Sequence, residues 1–152
     1  MSKLSGGCAC GAVRYALADD PIFHLVCHCA DCQKASGSAF AEVLIVAADR
    51  LAMLGCEPRY FGVDADSGRT MQRGFCEVCG SPVLIRRPET PQVVFLQAGS
   101  LDDPGAFKPM VEVFTCRAHG YLKPIEGTSR FEEGPPADVV RPVVEAYFAN
   151  RR

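Results

Sequence analysis

Three features of the 152-residue sequence predict a mainly β architecture closed by one C-terminal helix. The chain carries 14 glycines and 11 prolines, residues that punctuate short strands with turns. Its apolar residues fall mostly in runs of roughly four to eight between turn signals, the length of strands rather than helices. Only the tail departs from this, where Val139, Val140, Val143, Val144, Tyr147 and Phe148 recur at helical spacing.

In chain order, residues 13–17 and 22–26 read as strands flanking the turn Asp19-Asp20-Pro21. Residues 30–35 can form one helical turn, stopped by Ser36-Gly37. Residues 40–47 and 51–54 are short apolar runs. Residues 59–63 and 70–75 bracket Asp64-Ala65-Asp66-Ser67-Gly68 as a hairpin, and 83–87 and 93–98 form a second pair around Pro88-Glu89-Thr90-Pro91. Residues 110–115 are another strand, and 132–136 read as a linker. The tail helix is expected at about 139–150, with Asp138 as its cap and Pro142 near its first turn, where a missing N–H does least harm. It is expected to serve as a packing element or a dimer contact.

The length fits one domain, 1–152. Charged residues are 22% and the net charge is −2, so nothing predicts a nucleic-acid partner or an anionic membrane surface. No stretch approaches the ~20 apolar residues of a membrane span. Residues 1–7 lack the apolar core of about 7–15 residues of a secretory signal, and the expected location is cytoplasmic. Nine cysteines in a reducing compartment point away from disulfides.

Seven of the nine are clustered: Cys8-Ala9-Cys10, Cys27-His28-Cys29-Ala30-Asp31-Cys32 and Cys76-Glu77-Val78-Cys79. Such spacing presents several thiolates to one small cation, and thiolate-rich tetrahedral sites suit zinc. Cys76-x-x-Cys79-Gly80 has the form of a zinc knuckle, and Cys8-x-Cys10-Gly11 is its shorter echo. Two plus two fill one closed site: Cys8, Cys10, Cys76 and Cys79. Cys27, Cys29 and Cys32 then remain as three ligands, the number that leaves a catalytic zinc an open position. Alternatively a fourth residue closes the triplet, with His24, His28, Cys56, Cys116 and His119 as candidates.

The runs Gly6-Gly7-Cys8-Ala9-Cys10-Gly11-Ala12-Val13-Arg14-Tyr15, Cys27-His28-Cys29-Ala30-Asp31-Cys32-Gln33-Lys34, Phe75-Cys76-Glu77-Val78-Cys79-Gly80-Ser81 and Ala98-Gly99-Ser100-Leu101-Asp102-Asp103-Pro104 occur in this order. Together they resemble the glutathione-dependent formaldehyde-activating enzyme family, which also includes centromere protein V, over roughly residues 5–130. The resemblance implies a zinc-bearing β architecture of the Mss4-like type and two zinc ions per chain. One would be structural, on Cys8, Cys10, Cys76 and Cys79. The other would sit on Cys27, Cys29 and Cys32, its remaining position taking a substrate thiol. The family commonly carries a Trp near the C-terminal part of the motif; this chain has none, and Tyr121 is the residue expected to fill that space.

Three thiolates and one Zn²⁺ sum to −1, a poor Lewis acid well suited to a fourth sulfur. The expected activity is therefore that of a carbon–sulfur lyase, forming or cleaving an S-hydroxyalkyl adduct between a glutathione-like thiol and a small aldehyde. A non-catalytic thiol carrier and a zinc-stapled interaction module are the alternatives. The expected partners are the small thiol and the aldehyde, in a monomer or homodimer. Sequence alone names no proton donor or acceptor. His28 reads as a loop residue, a proton relay or a ligand. Cys56 and Cys116 read as packing residues, Asp102-Asp103-Pro104 as a turn, and Arg14 and Lys34 as surface charges that could hold a carboxylate.

Overall fold

The structure, a computed structural model, describes residues 3–65 and 68–150; Asp66 and Ser67 of the expected hairpin turn lie outside them. Strands β1 (Leu4–Gly7) and β2 (Arg14–Leu17) pair antiparallel. Strand β3 (Phe23–Cys27) leads into helix α1 (Ala30–Ser36), which Gly37 ends in a left-handed conformation. Strands β4 (Ala41–Ala47) and β5 (Leu51–Met53) follow. Next come β6 (Arg59–Asp64) and β7 (Thr70–Phe75), a hairpin as expected, then β8 (Pro82–Arg86) and β9 (Val93–Gln97). The chain continues through β10 (Val111–Val113) and the two-residue β11 (Ser129–Arg130) to helix α2 (Ala137–Ala149). The expectation of a mainly β fold with a C-terminal helix holds.

The strands form a three-stranded sheet, β1-β2-β5, and an eight-stranded sheet, β11-β10-β3-β4-β9-β8-β7-β6. β10 runs parallel to β3 and β11, and the other pairs are antiparallel. Tyr15 and Leu17 of the small sheet meet Val26, Leu44, Val46, Val83 and Leu96 of the large one in a first core. The opposite face of the large sheet carries a second core of Phe23, Leu25, Val43, Ile45 and Val93, against which Val139, Val140, Val143, Val144, Tyr147 and Phe148 of α2 pack. Strand β4 therefore contributes to both cores, which is why residues 43–47 read as a continuous apolar run rather than an alternating one. The tail is a packing element of its own sheet, and the Tyr147 hydroxyl donates to Asp19 at 2.9 Å.

Three local expectations are corrected. Helix α2 begins before Asp138, with Pro136 at the N-cap and no side-chain cap, so Asp138 sits in the first turn. That earlier start puts Pro142 in the second turn, where it removes one backbone hydrogen bond. Strand β10 stops short of 115 because Phe114 turns left-handed (φ 56°) into a 3-10 turn. Strand β1, which the sequence reading missed, depends on a close approach: a side chain at Gly6 would run into the Ser100 carbonyl and the Tyr15 hydroxyl.

Candidate metal centres

The two cysteine pairs are built alike. In each, the glycine directly after the second cysteine adopts positive φ (Gly11, 79°; Gly80, 74°), a conformation a Cβ would strain. Each glycine N–H closes a turn on the first cysteine's carbonyl: Gly11 to Cys8 at 3.1 Å, Gly80 to Cys76 at 2.8 Å. The Ala9 N–H donates to Ser81 Oγ at 3.2 Å and ties one knuckle to the other. The sulfurs of Cys8, Cys10, Cys76 and Cys79 consequently lie within 4.8 Å of one another.

These sulfurs are not in disulfides. Cys8 and Cys10 are 3.5 Å apart, and Cys10 and Cys76 are 3.7 Å apart. Four sulfurs placed tetrahedrally at about 2.3 Å from a zinc ion would be separated by about 3.8 Å. Donor type, number and spacing therefore fit a closed zinc site. Cys8 and Cys76 are buried at the edge of the first core while Cys10 and Cys79 face solvent. The Ser81 hydroxyl and N–H hold the Cys79 thiol down at about 5, favouring the thiolate a metal needs.

The triplet is made by the end of β3 and the start of α1. Cys27 is the last residue of β3. Cys29 is the N-cap of α1, its sulfur accepting the Cys32 N–H at 3.3 Å in the place an oxygen usually takes. Their three sulfurs also lie within 4.8 Å of one another, and among the described residues no fourth Cys, His, Asp or Glu joins them. Hydrogen bonds from the Cys27 and Cys32 thiols pull the Cys29 thiol down to about 2, whereas their neighbours hold the Cys27 and Cys32 thiols up. Three sulfurs so placed could hold a metal ion, and the donor set suits zinc.

The residues considered as a fourth ligand are engaged elsewhere or stand outside the group. The His24 ring nitrogen Nδ1 accepts the Lys108 N–H at 3.0 Å. His119 Nε2 lies 3.1 Å from Gln33 Oε1, and its ring stacks on Tyr121. Cys56 and Cys116 are exposed and lie outside the triplet. His28 is buried, with Nε2 3.0 Å from Glu112 Oε2.

Glu112 is what the sequence reading missed. It and His28, each 2% exposed, are the buried polar side chains among the described residues. Glu112 Oε1 accepts the Ile125 N–H at 2.9 Å and the Thr128 hydroxyl at 3.0 Å, with Arg130 Nε at 3.4 Å. Burial pushes this carboxyl up, but the hydrogen bonds and Arg130 outweigh it and leave it below its usual value. The carboxylate therefore accepts from His28 Nε2–H, a tautomer that follows from the partner. On the other side, Gln33 donates from Nε2 to the His28 carbonyl at 2.8 Å and to the Arg117 carbonyl at 3.0 Å. The backbone N–H of His28 donates to the Val113 carbonyl at 3.0 Å. The residue between two triplet cysteines is thus fixed through its ring, its N–H and its carbonyl.

Asp102 and Asp103 divide the role predicted for them. Asp103 makes the turn, accepting the Gly105 N–H at 3.0 Å. Asp102 holds Arg14 through two bonds of 2.8 and 2.6 Å, and Arg14 with the Ser5 hydroxyl lowers the Asp102 carboxyl to about 2. Arg14 is therefore already neutralised. A recess of about 740 Å³ opens beside this pair, Cys8, Phe40 and Glu42, but no triplet cysteine lines it. A smaller recess of about 230 Å³ lies beside α1, lined by Ala35, Phe61, Arg73, Ile85 and Gln97 among others.

The fold and these groups define a β-sheet protein with two cysteine clusters able to hold metal ions. The sequence pattern of the family described as glutathione-dependent formaldehyde-activating enzyme matches residues 3–117. This chain belongs to that family. A Halomonas elongata protein, provisionally named a glutathione-dependent formaldehyde-activating enzyme, is 33% identical over 103 residues, covering 65% of this chain and 66% of that protein. A crystal structure of a Rhodobacter sphaeroides protein matches 84% of this chain and 98% of its own, at 15% identity and a TM-score of 0.49. No helix among the described residues is long and apolar enough to cross a membrane.

Proposed function

We propose that residues 1–152 form one zinc-binding domain acting as a carbon–sulfur lyase, which forms or cleaves an S-hydroxyalkyl adduct between a glutathione-like thiol and a small aldehyde. The observation that carries this reading is the triplet: three sulfurs gathered with no fourth ligand among the described residues. Cys27, Cys29 and Cys32 would hold the ion, and Cys8, Cys10, Cys76 and Cys79 would hold a second one that staples the two sheets' edges. A zinc ion bound by the triplet would keep an incoming thiol deprotonated near neutral pH.

The chain's own part is to bind and to orient. Cys27 is set by its place in β3, and Cys29 and Cys32 by α1. His28 and Gln33 pin the loop between them to β10 and to the turn at Arg117. A thiolate held at this edge adds to the aldehyde carbon, and the former carbonyl oxygen takes up a proton to become the adduct's hydroxyl. The reverse reaction returns thiol and aldehyde. Family membership supports glutathione and formaldehyde as the first pair to test.

Calorimetry with glutathione and S-methylglutathione tests the reading. The methylated peptide keeps every peptide contact but has no thiol to ionise. Zinc-loaded protein is expected to bind glutathione and to bind S-methylglutathione far more weakly, and Cys29→Ser is expected to lose the difference. Equal binding of the two ligands would overturn the open-site reading.

A further inference from the structure

We propose that Arg73, in the recess beside α1, holds a carboxylate of the thiol substrate; this rests on the thiol-lyase reading above. Cross-strand register puts Arg73 on the triplet's side of the large sheet. Phe61 faces Arg73, Arg73 faces Ile85, Ile85 faces Phe95 and Phe95 faces Ile45, and directly opposed residues of paired strands share a face. Ile45 belongs to the core that contains Cys27 and borders Cys29 and Cys32.

Helix α1 connects the two places. Ala35 follows Cys32 by three residues, a spacing that puts both on neighbouring positions of one helix face. It stands about 4.5 Å further along the axis, and it lines the recess together with Arg73. A thiol peptide of three residues can extend about 10 Å. A molecule with its sulfur at the triplet can therefore run along α1 into the recess.

The charge of the recess selects the ligand. Arg14 pairs with Asp102, Arg50 with Asp19, Arg59 with Glu77 and Arg130 with Glu112. Arg86 and Arg87 lie over the rings of Tyr60 and Phe95. Among the described residues Arg73 has no carboxylate partner, and no Asp or Glu lines its recess. Its planar guanidinium matches a carboxylate through two parallel hydrogen bonds. The floor beneath it is apolar: Ile85 is buried, Pro82 lines the wall, and Phe61 is 65% exposed with no covering element. This suits the methylenes of a peptide. The larger recess is less suited to an anion, since its arginine is neutralised and Glu42 lines it.

Calorimetry of zinc-loaded protein with glutathione and with 2-mercaptoethanol, which has no carboxylate, tests this. Arg73→Ala is expected to weaken glutathione binding about 10- to 100-fold and to leave 2-mercaptoethanol unchanged. Arg73→Gln, which keeps most of the side chain's length, is expected to show the same split should Arg73→Ala fold poorly, and Arg73→Lys to recover part of the loss. Arg141→Ala, removing an exposed charge of α2 that faces Glu145, is expected to change neither ligand. Undiminished glutathione binding by both neutral Arg73 variants would overturn the proposal, and so would an equal loss of both thiols. If the unaltered protein binds neither thiol, the thiol-lyase reading itself fails and the proposal falls with it.

Discussion

Cys76→Ala is expected to abolish folding of the chain at ordinary growth temperature. Cys76 is 1% exposed at the edge of the core between the sheets, and the substitution leaves three donors where a closed site needs four. Structural zinc in small domains supplies about 10–16 kcal/mol of binding energy that is also folding energy. Net domain stability is about 5–15 kcal/mol. Losing most of the first term therefore exhausts the second. The knuckles bring Cys8 and Cys10 beside β1 and β2 to Cys76 and Cys79 between β7 and β8, so the same loss frees the edges of the two sheets from each other. Soluble yield and thermal unfolding check this. Cys29→Ser, altering a half-buried sulfur of the other cluster, is expected to remain folded. A Cys76→Ala protein with an unchanged midpoint would contradict the structural role.

Glu112→Ala is expected to destabilise the protein by about 2–5 kcal/mol, because buried donors left without an acceptor each cost about 1–3 kcal/mol. The His28 ring, the Ile125 N–H and Arg130 lose their acceptor together, while the Thr128 hydroxyl keeps the Ile125 carbonyl at 2.8 Å. His28 Nδ1 is already buried without a partner among the described residues, so the imidazole would be left with neither nitrogen satisfied. Glu112→Gln keeps the shape and one acceptor oxygen and is expected to cost less. The check is the urea midpoint at unchanged slope, which isolates stability from compactness. A loss below about 1 kcal/mol would show the pair to be dispensable.

The sequence reading was strongest where chemistry is local. The cysteine spacings and the glycines after them state the two knuckles and the triplet directly, because a tight turn needs both a short gap and a residue free to take positive φ. Likewise the tail helix shows in its own period, and β4 in its own apolar run. What was not legible depends on partners far along the chain. Glu112 reaches His28 across 84 residues through the parallel pairing of β10 with β3, and nothing near either residue announces it. Arg14 and Asp102 are 88 residues apart and meet because β1 bridges to Leu101. Strand β1 has the sequence Leu-Ser-Gly-Gly, poor in strand-forming residues, and is a strand only because β2 and the turn at Ser100 hold it. Arg73 is set on the triplet's face only by cross-strand register with Phe61 and Ile85, which lie in other strands.

The division of labour between the two clusters is tested most directly by zinc content during graded chelation, with far-ultraviolet circular dichroism followed on the same samples. Two zinc ions per chain are expected, leaving in two steps. The first, from Cys27, Cys29 and Cys32, is expected under mild chelation with the spectrum unchanged, since three ligands leave the ion open to attack. The second, from Cys8, Cys10, Cys76 and Cys79, is expected to depart together with the folded spectrum. Release of both ions in a single step that coincides with unfolding would contradict the account.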